Sequence, residues 1–316
     1  MPTGNKQELL ELQGMLARGN VEDAHEVIAE GDISPMLFND VGYALAYYAV
    51  CNNQPACLHM LAAPDVGVDL QAPCSSPKLE GATPAHVAVS NDLPDCIRTL
   101  HELGVDMERP ADKIGNHPAK IAVAKGSASC LAPLQAAGVD LDAYSDKHGC
   151  KLAFFAAAQD HPHVLTELAR LGVALDKVCD RLGFTPACYA ATHNTRASLV
   201  ALHDAGVDLA APCDRWGGCP VKYAVLESAN DCLKALYLAG VDLRAPCDKY
   251  GASPCEFALA QGNDEAAELI DKMLLPAEQK PWKCKGCSVE NKPAAEFCQL
   301  CGEPCGSNPE RVLVPH

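Results

Sequence analysis

The chain has 316 residues, 48% of them hydrophobic, which is enough apolar material for one long or two ordinary packed domains. Its 25 Lys and Arg stand against 41 Asp and Glu, a formal charge of -16, and this excludes nucleic-acid or anionic-membrane binding through the surface as a whole; such a contact needs a local patch. Met1 to Lys6 lack the character of a signal or transit peptide, no run reaches membrane-spanning length, and the 18 cysteines are too scattered for a disulfide framework. A cytoplasmic chain with reduced thiols is expected, the nucleus remaining open, with no membrane contact.

The first 70 residues hold two loose helical patterns. One runs through Met15-Leu-Ala-Arg-Gly-Asn20 and Val27-Ile28, the other from Gly42-Tyr-Ala-Leu-Ala46 to Gly67-Val-Asp-Leu70. From residue 81 the pattern becomes strict. Gly81, Gly115, Gly149, Gly183, Gly217 and Gly251 stand 34 residues apart, a self-similarity that signals stacked units. Seven residues after each comes Ala88, Ala122, Ala156, Ala190, Ala224 or Ala258, small enough for two helices to approach closely; nineteen after comes Leu100, Leu134, Leu168, Leu202, Leu236 or Ile270.

Each unit reads as a helix pair followed by an extended finger. Pro84, Pro118, Pro186, Pro220 and Pro254 fit a first helical position, where the missing N–H would have no partner anyway; Leu152 is the exception. Gly104, Gly138, Gly172, Gly206 and Gly240 fit the left-handed residue that ends the second helix, each followed by a Val that can fold back on the last turn. Asp112, Asp146, Asp180, Asp214 and Asp248, three residues before the next repeat glycine, supply turn chemistry.

Gly81-Ala-Thr-Pro-Ala-His86 and Gly183-Phe-Thr-Pro-Ala187 resemble the opening signature of ankyrin repeats. The resemblance covers most of the chain and implies an all-α solenoid of about eight helix-pair units over residues 1–275. The N-terminal patterns would be a capping unit and a degenerate unit. Asp264, Glu268 and Asp271 would make the last second helix a polar cap. Such a stack requires no pocket and offers a long surface for a protein partner.

Before each repeat glycine stands a cation and then a larger residue: Lys113-Ile114, Lys147-His148, Arg181-Leu182, Arg215-Trp216 and Lys249-Tyr250. In ankyrin-type stacks these positions lie at finger tips, so the pairs would form one basic, partly aromatic ladder. The charges alone fit ordinary solvated turns. Trp216, Tyr250, Leu182 and Phe184, expected to be exposed on neighbouring fingers, fit the anchors of a partner site, the alternative being that Trp216 folds onto Phe184 as local packing. Cys96, Cys130 and Cys232 share a position that wants a small buried group. Cys179, Cys213 and Cys247, recurring before the turn Asp, are expected to be accessible thiols without a special role. His161 and His163 read as loop residues with no third ligand. No phosphate loop, nucleophile elbow or His-Glu helical pair is present, and the chain reads as non-enzymatic.

After a Pro-bracketed linker, residues 276–281, a new pattern begins. Cys284, Cys287, Cys298 and Cys301 give C-x2-C-x10-C-x2-C, two close pairs that can close a tetrahedral thiolate site around one structural zinc. With Trp282 and Asn291, the segment Trp282 to Cys301 resembles the Ran-binding-protein-type (NZF) zinc finger; the module spans 282–305, with a tail over 306–316. Cys305 lies outside this ligand set, a swap with Cys301 being the alternative.

Relatives of such fingers divide between ubiquitin and single-stranded RNA. The RNA-reading ones use an aromatic residue and arginines between the cysteine pairs, where this chain has Lys292-Pro-Ala-Ala-Glu-Phe297. The ubiquitin-binding ones carry Thr-Phe after the second cysteine and an apolar residue before the fourth; Ser288-Val289 and Leu300 are similar but smaller. The resemblance implies an adaptor with a groove for one protein and a zinc finger for a second, ubiquitin ahead of RNA. A structural subunit of a larger assembly is the remaining alternative.

Overall fold

A computed structural model describes residues 4–30, 45–73, 82–108, 116–178, 183–275, 282–283 and 290–291. Helices fill most of them: α1 (Gly4–Arg18), α2 (Val21–Glu30), α3 (residues 45–51), α4 (Pro55–Ala62), α5 (Pro84–Ser90), α6 (Pro94–Glu102), α7 (Pro118–Lys125) and α8 (Leu131–Ala136, entered through a 3-10 turn at Ala128–Cys130). They continue as α9 (Leu152–Ala158), α10 (Pro162–Arg170), α11 (Pro186–Thr192), α12 (Arg196–Asp204), α13 (Pro220–Leu226), α14 (Asn230–Leu238), α15 (Pro254–Ala260) and α16 (Asp264–Leu274). Two strands follow, β1 (Trp282–Lys283) and β2 (Glu290–Asn291), antiparallel with Trp282 opposite Asn291. Among the described residues no helix is long and apolar enough to cross a membrane.

From α5 onward the helices have 6 to 11 residues, too short to persist alone, so their ends and packing decide. Proline holds the first position of α5, α7, α11, α13 and α15. Thr185 accepts from the Cys188 amide, and Ser253 with Glu256 forms a reciprocal capping box. Between the two helices of each unit one residue is left-handed: Asp92, Gly126, Asp160, Asn194, Ser228 and Gly262. Asp160 uses that turn to reach the next unit, accepting from the Ser198 amide at 3.0 Å and its hydroxyl at 2.9 Å.

Two layers result. First helices α5, α7, α9, α11, α13 and α15 pack in sequence against one another, and second helices α10, α12, α14 and α16 do the same. The repeated alanines and the leucines twelve positions later are fully buried throughout, from Ala88 and Leu100 to Ala258 and Ile270. One continuous core runs the length of the stack, the one-dimensional build of a repeat protein. Successive fingers join through backbone as well: the Thr185 amide donates to the Cys213 carbonyl at 3.0 Å, and the Cys219 amide to that of Cys247 at 3.2 Å.

Candidate functional site

Each of the three described finger tips is built by one aspartate. Asp146 Oδ1 accepts from the amides of His148 and Cys150, both at 2.8 Å. Asp214 Oδ1 accepts from Trp216 at 2.6 Å and Gly218 at 2.8 Å, and Asp248 Oδ1 from Tyr250 at 2.9 Å and Ala252 at 3.3 Å. The carboxylate thus replaces the missing partner of two turn amides and fixes the tip. At Asp214 the Tyr223 hydroxyl donates to the second oxygen. Burial alone would raise the Asp214 carboxyl, but the Tyr223 hydroxyl and the Gly218 and Trp216 amides outweigh it and hold the group below its ordinary value. Burial and the neighbouring carboxylate push the Tyr223 phenol up.

The fingers touch closely at their glycines. Gly183 has φ +89°, and a Cβ there would stand 3.2 Å from both Arg215 Cβ and Arg215 N; Gly217, φ +79°, faces Lys249 in the same way at 3.5 Å. Arg215 and Lys249 are therefore each seated on the glycine of the finger before. Its head then covers the adjacent ring: the Arg215 guanidinium lies 4.4 Å from the centre of Trp216, and the Lys249 ammonium 5.0 Å from that of Tyr250.

Behind the tips the first helices carry a row of rings that sequence reasoning missed. Phe155, Tyr189, Tyr223 and Phe257 stand 34 residues apart, six after each repeat glycine, and all are half-buried. Phe184, at the root of its finger, packs edge-on against Tyr189 (5.6 Å) and Tyr223 (5.4 Å) and lies 6.1 Å from Trp216. Finger tips and first helices therefore share one face. Two lysines lie over its rings: Lys120 is 4.8 Å from Phe155, and Lys222 is 5.8 Å from Tyr223 and 5.7 Å from Phe257. The periodicity of the aromatics was available in the sequence, hidden by the change from Phe to Tyr and its absence from the earlier units.

Of the expected ladder, Lys147, Arg215, Trp216, Lys249 and Tyr250 are exposed, Trp216 by 41% and Tyr250 by 81%. Phe184 was expected to be exposed and is half-buried, because three rings close around it. Lys113, Arg181 and Leu182 lie outside the described residues, as do Cys284, Cys287, Cys298, Cys301, Ser288, Val289 and Leu300.

Cys213 and Cys247, expected to be accessible, are 2% and 1% exposed, because their carbonyls receive the bonds that join one finger to the next. Burial pushes the Cys213 thiol up, with Cys188 beside it, and that of Cys247 to about 12, so neither supplies a thiolate near neutrality. Cys96, Cys130 and Cys232 are fully buried, as their shared position requires. His163 belongs to the first turn of α10 rather than to a loop, and its Nε2 lies 2.8 Å from the Gly126 carbonyl. Among the described residues no group of three or more His, Cys, Asp or Glu could hold a metal.

The crystal structure of the human ASB11 ankyrin repeat domain is similar to this chain with a TM-score of 0.54 and 21% identity, over 72% of this chain and 96% of that one. The likeness shows the fold, an ankyrin-repeat solenoid. No protein-family profile matches the sequence, and no curated protein matches it.

Proposed function

Starting from an ankyrin-repeat fold, we propose that this chain is a non-enzymatic adaptor of the cytoplasm or nucleus. Its finger-side face holds one protein partner, and its C-terminal cysteine module holds one zinc and a second partner. The observation that carries the first half is the pair Trp216 and Tyr250, large rings exposed on neighbouring tips whose backbone is fixed by Asp214 and Asp248. Rings presented on pre-formed turns lose little conformational freedom on binding, which is what an interface anchor needs.

The second half rests on Cys284, Cys287, Cys298 and Cys301, four soft ligands that would fill a tetrahedral site and leave no open position for chemistry. For the module's partner, ubiquitin or a similar protein surface is favoured through Ser288, Val289 and Leu300. Between Trp282 and Cys305 three lysines balance three glutamates, and an RNA site needs the cationic excess this lacks.

Arg215→Ala combined with Trp216→Ala tests the finger-side face. Recovery of the partner that the repeats retain should fall at least about tenfold, as for an interface anchor. Stability should change by less than about 1 kcal/mol, because exposed tips add few core contacts. Unchanged recovery would overturn the proposal.

A further inference from the structure

We infer that the segment held on the finger-side face is an acidic, extended peptide; this rests on the scaffold proposal above and adds the chemistry of the ligand. The -16 of the chain is not evenly spread. First helices α7, α9, α11 and α13 carry Lys120, Lys125 and Lys222 and no carboxylate. The single acid of α15, Glu256, is turned into its own helix start, accepting from the Ser253 amide and hydroxyl, both at 2.9 Å. The tip aspartates are likewise engaged by their own turn amides, and at the base of the fingers Asp140, Asp208 and Asp242 accept from amides two residues on.

On the second helices α10, α12 and α14 each carry one acid and one cation, and the last, α16, carries Asp264, Glu265, Glu268 and Asp271 against Lys272. The finger-side face thus sets ammonium and guanidinium groups over a row of half-buried rings, while the finger carboxylates keep their charge, Asp146, Asp214 and Asp248 bonded to their own turn amides and Asp142 paired with Lys177. Its complement is a chain alternating carboxylates with apolar side chains.

Geometry favours an extended peptide. Stacked helices lie ~8–10 Å apart and an extended chain advances ~3.3 Å per residue, so about three residues span one unit. A carboxylate beside Lys222, between Tyr223 and Phe257, and a second about nine residues away beside Lys120, three units along the stack, would meet the two first-helix lysines that lie over rings. The same cations and rings argue against single-stranded nucleic acid, which needs open ring faces on which to stack bases. Here rings meet edge to face, at 77° for Phe154 and Tyr189 and 83° for Phe184 and Tyr223, and lysine or arginine heads cover the faces of Phe155 and Trp216.

A displayed library of random peptides about twelve residues long, about four units at three residues each, selected on the immobilised full chain, tests the inference. Enriched peptides should carry Asp or Glu interspersed with apolar residues. Binding of an enriched peptide should weaken about tenfold with Lys120→Glu plus Lys222→Glu, as expected for close charge pairs, while Lys234→Glu plus Lys272→Glu on the second helices leaves it within about twofold. Far-ultraviolet circular dichroism checks that the variants fold, and Lys222→Gln serves if the reversal does not. Enriched peptides without an acidic excess that still require Trp216 and Tyr250 would overturn the inference and leave the scaffold proposal standing. Peptides indifferent to both sets of residues would overturn both. Tighter binding of a labelled oligouridine of equal length, or self-association of the chain through this face, would also overturn the inference.

Discussion

Asp214 is 9% exposed, yet its two oxygens receive two amides and a phenol. A buried carboxylate in that setting stays ionised because the donors replace the water it lost. Its folded-state value lies below the ordinary 3.8, so the stability it contributes is full above pH 3.8 and is lost as pH falls through the lowered value. Asp214→Asn, which removes the charge and sets an amide against the Tyr223 hydroxyl, should cost about 1–3 kcal/mol near neutrality. The deficit relative to the parent chain should narrow below pH 3.8. Urea unfolding at several pH values across that point measures it; a deficit that stays constant with pH would show that the carboxylate's charge contributes nothing. The turn aspartates were legible in the sequence because their spacing never varies. That Asp214 also holds a helix residue was not, since it depends on a tyrosine nine positions on that only the fold brings near.

At the scale of the element, helix starts and stops were legible because proline and glycine act through backbone geometry alone. The left-handed residue between paired helices was not, since Asp160, Asn194 and Ser228 share only a tolerance for that conformation. The ring row on the first helices escaped for a related reason, Tyr189 and Tyr223 standing between Phe155 and Phe257 inside segments that read as ordinary core helices. Finger contacts set up a comparison between two glycines. Gly104, φ +77°, has open space where a Cβ would go, whereas at Gly183 the Cβ would meet the backbone of the next finger. Gly104→Ala should therefore cost only the left-handed backbone penalty, about 1–2 kcal/mol. Gly183→Ala adds the steric contact and should cost about 1–3 kcal/mol more. Thermal unfolding of the two variants side by side checks the order; equal losses would mean that the fingers separate freely.

For the whole molecule, net charge was the least informative quantity. The total of -16 conceals a contrast between the first helices α7, α9, α11 and α13, which together carry lysines and no carboxylate, and the acidic last helix α16, visible only once it is known which helices face the fingers. In a stack each unit leans on its neighbours, and a zinc module folds by its own ligands. Elemental analysis of the purified chain should therefore find about one zinc per molecule, the content of a closed four-cysteine site. Cys298→Ser should remove that zinc and leave the helical circular dichroism and melting of the repeats unchanged. Zinc retained in the variant, or a repeat domain that melts earlier with it, would contradict separate folding. The seating of Arg215 on Gly183 and of Lys249 on Gly217 carries a different consequence, one of inheritance. Both of these steps of the cationic strip are shared between two units in the same register, so recombination can excise or duplicate the stretch from Gly183 through Trp216, rejoining Leu182 to Gly217 with turn, cation and ring still in phase. The footprint offered to a ligand can thus lengthen or shorten by one increment in a single genetic event, whereas a deletion out of phase with the repeat destroys it.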